Sequence, residues 1–160
     1  MAGWKRKGHT LEEARKRMER YCAFRERCHQ EVVEKLKEMR MIPQAIDQIV
    51  VHLIENGFLN EERFAREFSR GKFRQKSWGR NRIRRELQQR NISEYLIRKA
   101  LGEIQEEAYL ETFEALAGKR WNALESEDNL QRKKRKFVDY LLYRGWEAGM
   151  VYDKAAELGD

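Results

Sequence analysis

The sequence predicts an all-α protein made of three tandem three-helix, helix-turn-helix-like repeats in an elongated, curved arrangement. Three observations carry this expectation. No segment alternates polar and apolar residues over a useful length; apolar residues recur at spacings of three and four instead. The 160 residues include a single proline, and their Arg, Lys, Glu, Gln and Leu bias favours helix. The third observation is internal repetition. With Leu36, Leu87 and Leu141 aligned, Val32, Ile83 and Phe137 stand four residues earlier. Met41, Ile92 and Trp146 stand five later, Ile46, Ile97 and Val151 ten later, and Val50, Leu101 and Ala155 fourteen later. The columns change helical phase between the first and the fifth-later position, so a turn falls at the same place in each copy.

The elements follow in order. Residues 1–9 are expected as a disordered tail. Thr10-Leu11-Glu12-Glu13 spells a capping box, which satisfies the free amides at a helix start. It opens a first helix that the pattern carries to about residue 27. A second helix covers about 29–39. Pro43 suits the first turn of a third, because it has no amide hydrogen to leave unpaired. Ile46, Ile49, Val50 and Leu53 stripe that helix, and Gly57 ends it through its access to positive φ. Asn60 and Ser93 are expected as N-caps of later helices. The repeats are placed at 10–58, 59–106 and 107–158, with short turns at 40–42, 91–93 and 145–147. A unit of about 50 residues makes a poor core alone, so stacked neighbours must supply the missing burial.

Net charge is +7 and the isoelectric point about 9.5, a balance that favours anionic partners such as nucleic acid. No apolar run approaches the ~18 residues of a membrane span. The start, MAGWKRKGHT, lacks the apolar core of a signal peptide, which suggests a cytoplasmic protein and no membrane partner. Cys22 and Cys28 read as free, buried or half-buried thiols of a reducing compartment. His9, His29 and His52 are scattered, with His52 a half-buried packing residue. No glycine loop, metal-ligand spacing or nucleophile motif is present, so neither an enzyme nor a cofactor or metal is expected.

The charge is concentrated. Between Arg63 and Lys99 stand thirteen basic residues against Glu67, Glu86 and Glu94 only. A second cluster is Arg132-Lys133-Lys134-Arg135-Lys136. From Glu103 to Asp128, eight acids face only Lys119 and Arg120. In "WGRNRIRRELQQRN", residues 78–91, Ile83 and Leu87 share one helical face while Arg82 and Arg85 point broadly away from it. This is a folded amphipathic helix with its guanidiniums outside. The candidate binding residues are Lys72, Arg74, Lys76, Arg80, Arg82, Arg84, Arg85 and Arg90. Phe64 and Phe68 are expected in the core, with Trp78 more core than stacking platform and Trp146 structural. Three readings follow: a protein that binds nucleic acid without sequence preference, a helix-turn-helix reader of duplex DNA, or an adaptor for an acidic protein.

Three segments in order, "ENGFLNEERFAREFSRGKF", "WGRNRIRRELQQRNISEYLIRKAL" and "FVDYLLYRGW", resemble the RecX regulatory family. The matching positions are Gly57, Phe58, Leu59, Asn60, Arg63, Phe64, Ala65, Gly79, Arg82, Ile83, Glu86, Leu87 and Ile92. The resemblance spans roughly residues 18–158 and is most specific over 55–101. Asn91 replaces the glycine usual before Ile92, though asparagine also tolerates left-handed backbone. Asn60 stands where an acid is common, and both cap helices. The resemblance implies three tandem three-helix repeats without catalytic residues. It also implies a modulator, chiefly an inhibitor, of the RecA recombinase in homologous recombination, DNA repair and the SOS response. Such a protein lies in the groove of the RecA–DNA filament. The repeat columns predict a monomer, and the basic surface over 63–99 predicts weak, sequence-independent contacts to single- and double-stranded DNA.

Overall fold

The computed structural model describes residues 9–160, so the expected tail lies outside the described residues except for His9. Among the described residues there are nine α-helices and no strand. They are α1 (Leu11–Phe24), α2 (His29–Glu38), α3 (Pro43–Glu55), α4 (Glu61–Lys76), α5 (Arg80–Gln89), α6 (Glu94–Gly102), α7 (Glu106–Ala123), α8 (Leu130–Tyr143) and α9 (Ala148–Leu158). They form two compact units. One runs through Phe64 and includes Arg90–Ile92; the other holds Ala65–Gln89 and Ser93–Asp160.

The first unit follows its sequence signals closely. Thr10 caps α1: its hydroxyl accepts from the Glu13 amide at 3.1 Å, while Glu13 accepts from the Thr10 amide at 3.4 Å. Pro43 opens α3. Gly57 follows α3 at φ +75°, and the Phe58 amide returns to the Leu53 carbonyl at 2.8 Å. Met18, Val32, Leu36, Ile49 and Leu53 form the centre of the core, with Met41 and Val50 packed on it half-buried. His52 is half-buried and contacts Glu19 and Asn56.

One boundary differs from expectation. Helix α1 stops at Phe24, not near residue 27, because Arg25 turns extended. Arg27 accounts for the break. Its side chain is buried, its guanidinium lies 3.7 Å from the centre of the Tyr21 ring, and its Nε donates to the Tyr21 carbonyl at 3.0 Å. That carbonyl is one of the orphan acceptors of the last helical turn, where a cation also suits the helix dipole. A continuous helix would carry Arg27 past its own partner. Cys28 then sits at the N-cap of α2 and donates to Glu31. Cys22 and Cys28 are free and buried, and burial pushes both thiols up to about 11.

The repeat columns map onto α2–α3, α5–α6 and α8–α9. All fifteen positions are buried except the half-buried Met41 and Val50. The turn inside each copy has the same backbone device. Arg40 (φ 61°), Asn91 (φ 59°) and Gly145 (φ 94°) occupy one column in the left-handed region. In the first and third copies the next amide reaches back to the column leucine, Met41 to Leu36 and Trp146 to Leu141, each at 3.1 Å. This is a Schellman turn, which closes orphan carbonyls at a helix end and wants glycine or asparagine at that position.

The second unit is centred on aromatic rings. Tyr109 and Trp146 are fully buried with centroids 4.5 Å apart, flanked by Phe73 and Phe113. Two turns meet edge to edge here. The Gly79 amide donates to Arg144 O at 2.8 Å and the Asn81 amide to Gly145 O at 3.0 Å. Trp146 Nε1 donates to Ser77 O at 3.1 Å and Arg144 Nη1 to Lys76 O at 2.6 Å. A Cβ on Gly79 would lie 2.6 Å from the Gly145 carbonyl carbon and 2.7 Å from the Trp146 nitrogen. Only glycine lets these backbones approach so closely.

Candidate nucleic-acid interface

Helix α5 has no acidic residue in its first turn, which leaves its N-terminal dipole and its free amides unsupported by the usual side chains. The neighbouring turn supplies the acceptors instead. Gly79 and Asn81 use backbone carbonyls, and the Arg80 amide donates to the Tyr109 hydroxyl at 3.0 Å. Tyr109 in turn donates to the Glu147 carboxylate at 2.7 Å, and burial pushes its phenol well above the ordinary range. The start of α5 is therefore fixed from beneath, while Ile83 and Leu87 bury its inner face completely.

Carboxylates within the fold neutralise part of the basic segment. Arg63 pairs with Glu26 and donates to the Gly57 carbonyl at 3.0 Å, which closes the end of α3. Arg66 and Arg70 share Glu103, at 2.8 and 3.7 Å. Arg80 lies over the Tyr109 ring at 3.7 Å and pairs with Glu106 at 2.6 Å and Glu147 at 3.7 Å. Arg84 pairs with Glu94. Such pairs hold elements together and leave little charge for a partner.

The remaining cations behave differently. Arg74, Lys76 and Arg85 are exposed and have no carboxylate partner among the described residues. Arg82 does not simply point outward. Its guanidinium stacks 4.1 Å from the Trp78 ring centre and 4.7 Å from that of Tyr143. It too has no carboxylate partner among the described residues. Lys72 sits over Trp78 at 5.1 Å and Phe68 at 5.4 Å. Phe68 and Trp78 are both half-buried and meet edge to face, while Phe64 is a core residue. Of the eight expected binding residues, Lys72, Arg74, Lys76, Arg82 and Arg85 have no carboxylate partner among the described residues, whereas Arg80 and Arg84 are paired with carboxylates of the same chain. Arg90 is half-buried and has a partner within the fold.

Sequence reasoning missed Tyr143. It is 71% exposed, and its ring partners Arg82 from a helix more than fifty residues away. No local pattern signals that meeting. The second basic cluster, at the start of α8, is partly neutralised: Glu127 takes Lys136 at 2.8 Å and Arg132 at 3.5 Å. The Lys136 hydrogen bond holds the Glu127 carboxyl below its usual range. Lys133 lies over the Trp121 ring at 4.1 Å. Among the described residues no His, Cys, Asp and Glu group could hold a metal ion, and no helix is long and apolar enough to cross a membrane.

The fold and this surface define a helical-repeat protein with a cationic face. Residues 60–101 match the family described as RecX, second three-helix domain. The chain is 30% identical over 127 residues to "Regulatory protein RecX" of Chlorobium phaeobacteroides (strain BS1), covering 79% of this chain and 81% of that one. It is also 30% identical over 111 residues to the protein of the same name from Serratia proteamaculans (strain 568), covering 69% of this chain and 64% of that one. Its fold matches the crystal structure of RecX from Lactobacillus salivarius with a TM-score of 0.78 at 22% identity, over 92% of this chain and 96% of that one. The chain belongs to the RecX family of regulatory proteins.

Proposed function

We propose that this protein regulates the RecA recombinase by binding the RecA–DNA filament along its groove and restraining ATP hydrolysis and strand exchange. Membership of the RecX family supports the partner. The single observation that carries the surface is the sorting of the basic residues: carboxylates of the same chain pair with Arg63, Arg66, Arg70, Arg80 and Arg84, whereas Arg74, Lys76, Arg82 and Arg85 have no carboxylate partner among the described residues. A filament offers phosphates and acidic protein groups at a regular spacing. A cationic face gains affinity there from many weak contacts, and that affinity falls with salt as counterions return to the phosphates.

No bond is made or broken by the protein in this account. Binding across adjacent subunits hinders filament growth and the entry of duplex, so one bound molecule affects many subunits. The test is strand exchange by the cognate RecA with and without the protein. Inhibition below one protein per RecA is expected. Unchanged exchange at several-fold excess overturns the proposal, and a ~1,000-fold preference for one duplex sequence would replace it with an operator-reading function.

A further inference from the structure

We infer that Tyr143, Arg82 and Trp78 form a stacking site for single-stranded nucleic acid, with Tyr143 taking a base and Arg82 a phosphate. The inference deepens the reading of this face as a filament-binding surface and names the strand it would touch.

Three features of the surface carry it. First, Arg82 lies over two rings and has no carboxylate partner among the described residues. A guanidinium directs its N–H donors outward in its own plane. Trp78 at 4.1 Å and Tyr143 at 4.7 Å pack against the guanidinium without taking its in-plane donors. An oxyanion such as phosphate is the ligand that such a fork fits in a bidentate manner. Neighbouring arginines in the same segment lack this arrangement, since Arg80 and Arg84 spend their forks on Glu106, Glu147 and Glu94.

Second, Tyr143 is an aromatic ring that the core does not use. It is 71% exposed, at the end of α8, beside a turn whose geometry is locked by Gly145 and Gly79. Trp146, three residues on, is fully buried, so the two rings of this segment divide into one for packing and one for the surface.

Third, the rings of this segment and its neighbours are each paired with a cation. Lys72 sits over Trp78 and Phe68, and Arg144 lies over the Tyr140 ring at 4.8 Å. Alternating rings and cations suit an unpaired strand, whose bases can leave the stack and whose phosphates follow at each step. A duplex keeps its bases stacked and offers the same surface phosphates only. An acidic peptide would use the cations but has no base to lay on Tyr143.

The test uses the full chain without RecA, so that its failure is distinct from failure of the filament reading. Fluorescence anisotropy compares a labelled oligo-dT, an abasic strand with the same number of phosphates, and a duplex. The wild type should bind oligo-dT more tightly than the abasic strand. Tyr143→Leu should lose roughly five- to hundred-fold on oligo-dT, the range of one base stack, and little on the abasic strand or duplex. Tyr143→Phe should bind like the wild type. Arg82→Ala should weaken binding to both single strands. Equal wild-type affinity for oligo-dT and the abasic strand overturns the site. So does a Tyr143→Leu variant that binds oligo-dT normally, or one that weakens duplex binding as much as oligo-dT binding.

Discussion

Replacing Gly145 by alanine tests the joint that seats the basic face. Gly145 has φ 94°, a conformation that costs a residue with a Cβ about 1–2 kcal/mol. Its new Cβ would also lie 2.8 Å from the Arg82 Cα and closer still to the Arg82 amide nitrogen. These atoms belong to a helical backbone, so the clash cannot be relieved by turning a side chain. Overpacking of this kind typically costs about 1–3 kcal/mol. Together the two effects predict a loss of about 2–5 kcal/mol, read as a lower urea midpoint with the slope unchanged. Gly71 supplies the contrast. It sits inside α4, and a Cβ there would meet nothing within 4 Å. Gly71→Ala should stabilise by about 0.5–1 kcal/mol through helix propensity alone. If Gly145→Ala unfolds within about half a kcal/mol of the wild type, while Gly71→Ala behaves as stated, the close approach of the two turns is wrong.

Five further outcomes are expected. Arg40→Gly should raise stability by about 1 kcal/mol, because an exposed arginine occupies the left-handed position that Gly145 fills in the third copy; urea unfolding checks it. Leu87→Ala, at a fully buried column position, should cost about 2–5 kcal/mol, and a loss under half a kcal/mol would remove it from the core. Arg74, Arg82 and Arg85 replaced together by alanine should flatten the slope of log affinity against log salt on duplex DNA by up to about 2.7, with the helical circular dichroism intact. The thiols give a pH dependence: the folded chain holds Cys22 and Cys28 protonated up to about 11, whereas the unfolded chain releases them near 9.0. The folded state therefore binds more protons in that window, and stability should fall as pH rises from 9 towards 11. Iodoacetamide at pH 8 should label both thiols slowly in the native protein and rapidly in guanidinium.

Different physical ranges explain what the sequence revealed. The repeat columns were legible because helix burial has a short period, and a column leucine and its turn lie within one local segment. Thr10, Pro43, Gly57, Asn60 and Ser93 were legible for the same reason: each acts on atoms no more than five residues away. The end of α1 was not, because the Arg27–Tyr21 stack competes with a periodicity that alone would continue the helix. The density of positive charge could be counted, but its sorting could not. Arg80 and Arg84 have neighbours Glu106, Glu147 and Glu94 that only the packing of other helices brings near. The Tyr143–Arg82 stack depends on the Gly79–Gly145 approach, a meeting of two turns whose glycines could be read individually but not paired.

The most direct measurement is ATP hydrolysis by the cognate RecA on single-stranded DNA, titrated with the wild-type protein and with the Arg82→Glu, Arg85→Glu double variant. Both side chains lack acidic partners among the described residues, and circular dichroism should verify that the variant folds. The wild type should suppress hydrolysis at less than one molecule per RecA, and the charge-reversed protein should need a many-fold higher concentration. Hydrolysis unchanged by the wild type at several-fold excess would contradict the regulatory function. Equal suppression by both proteins would contradict the assignment of that function to the α5 face.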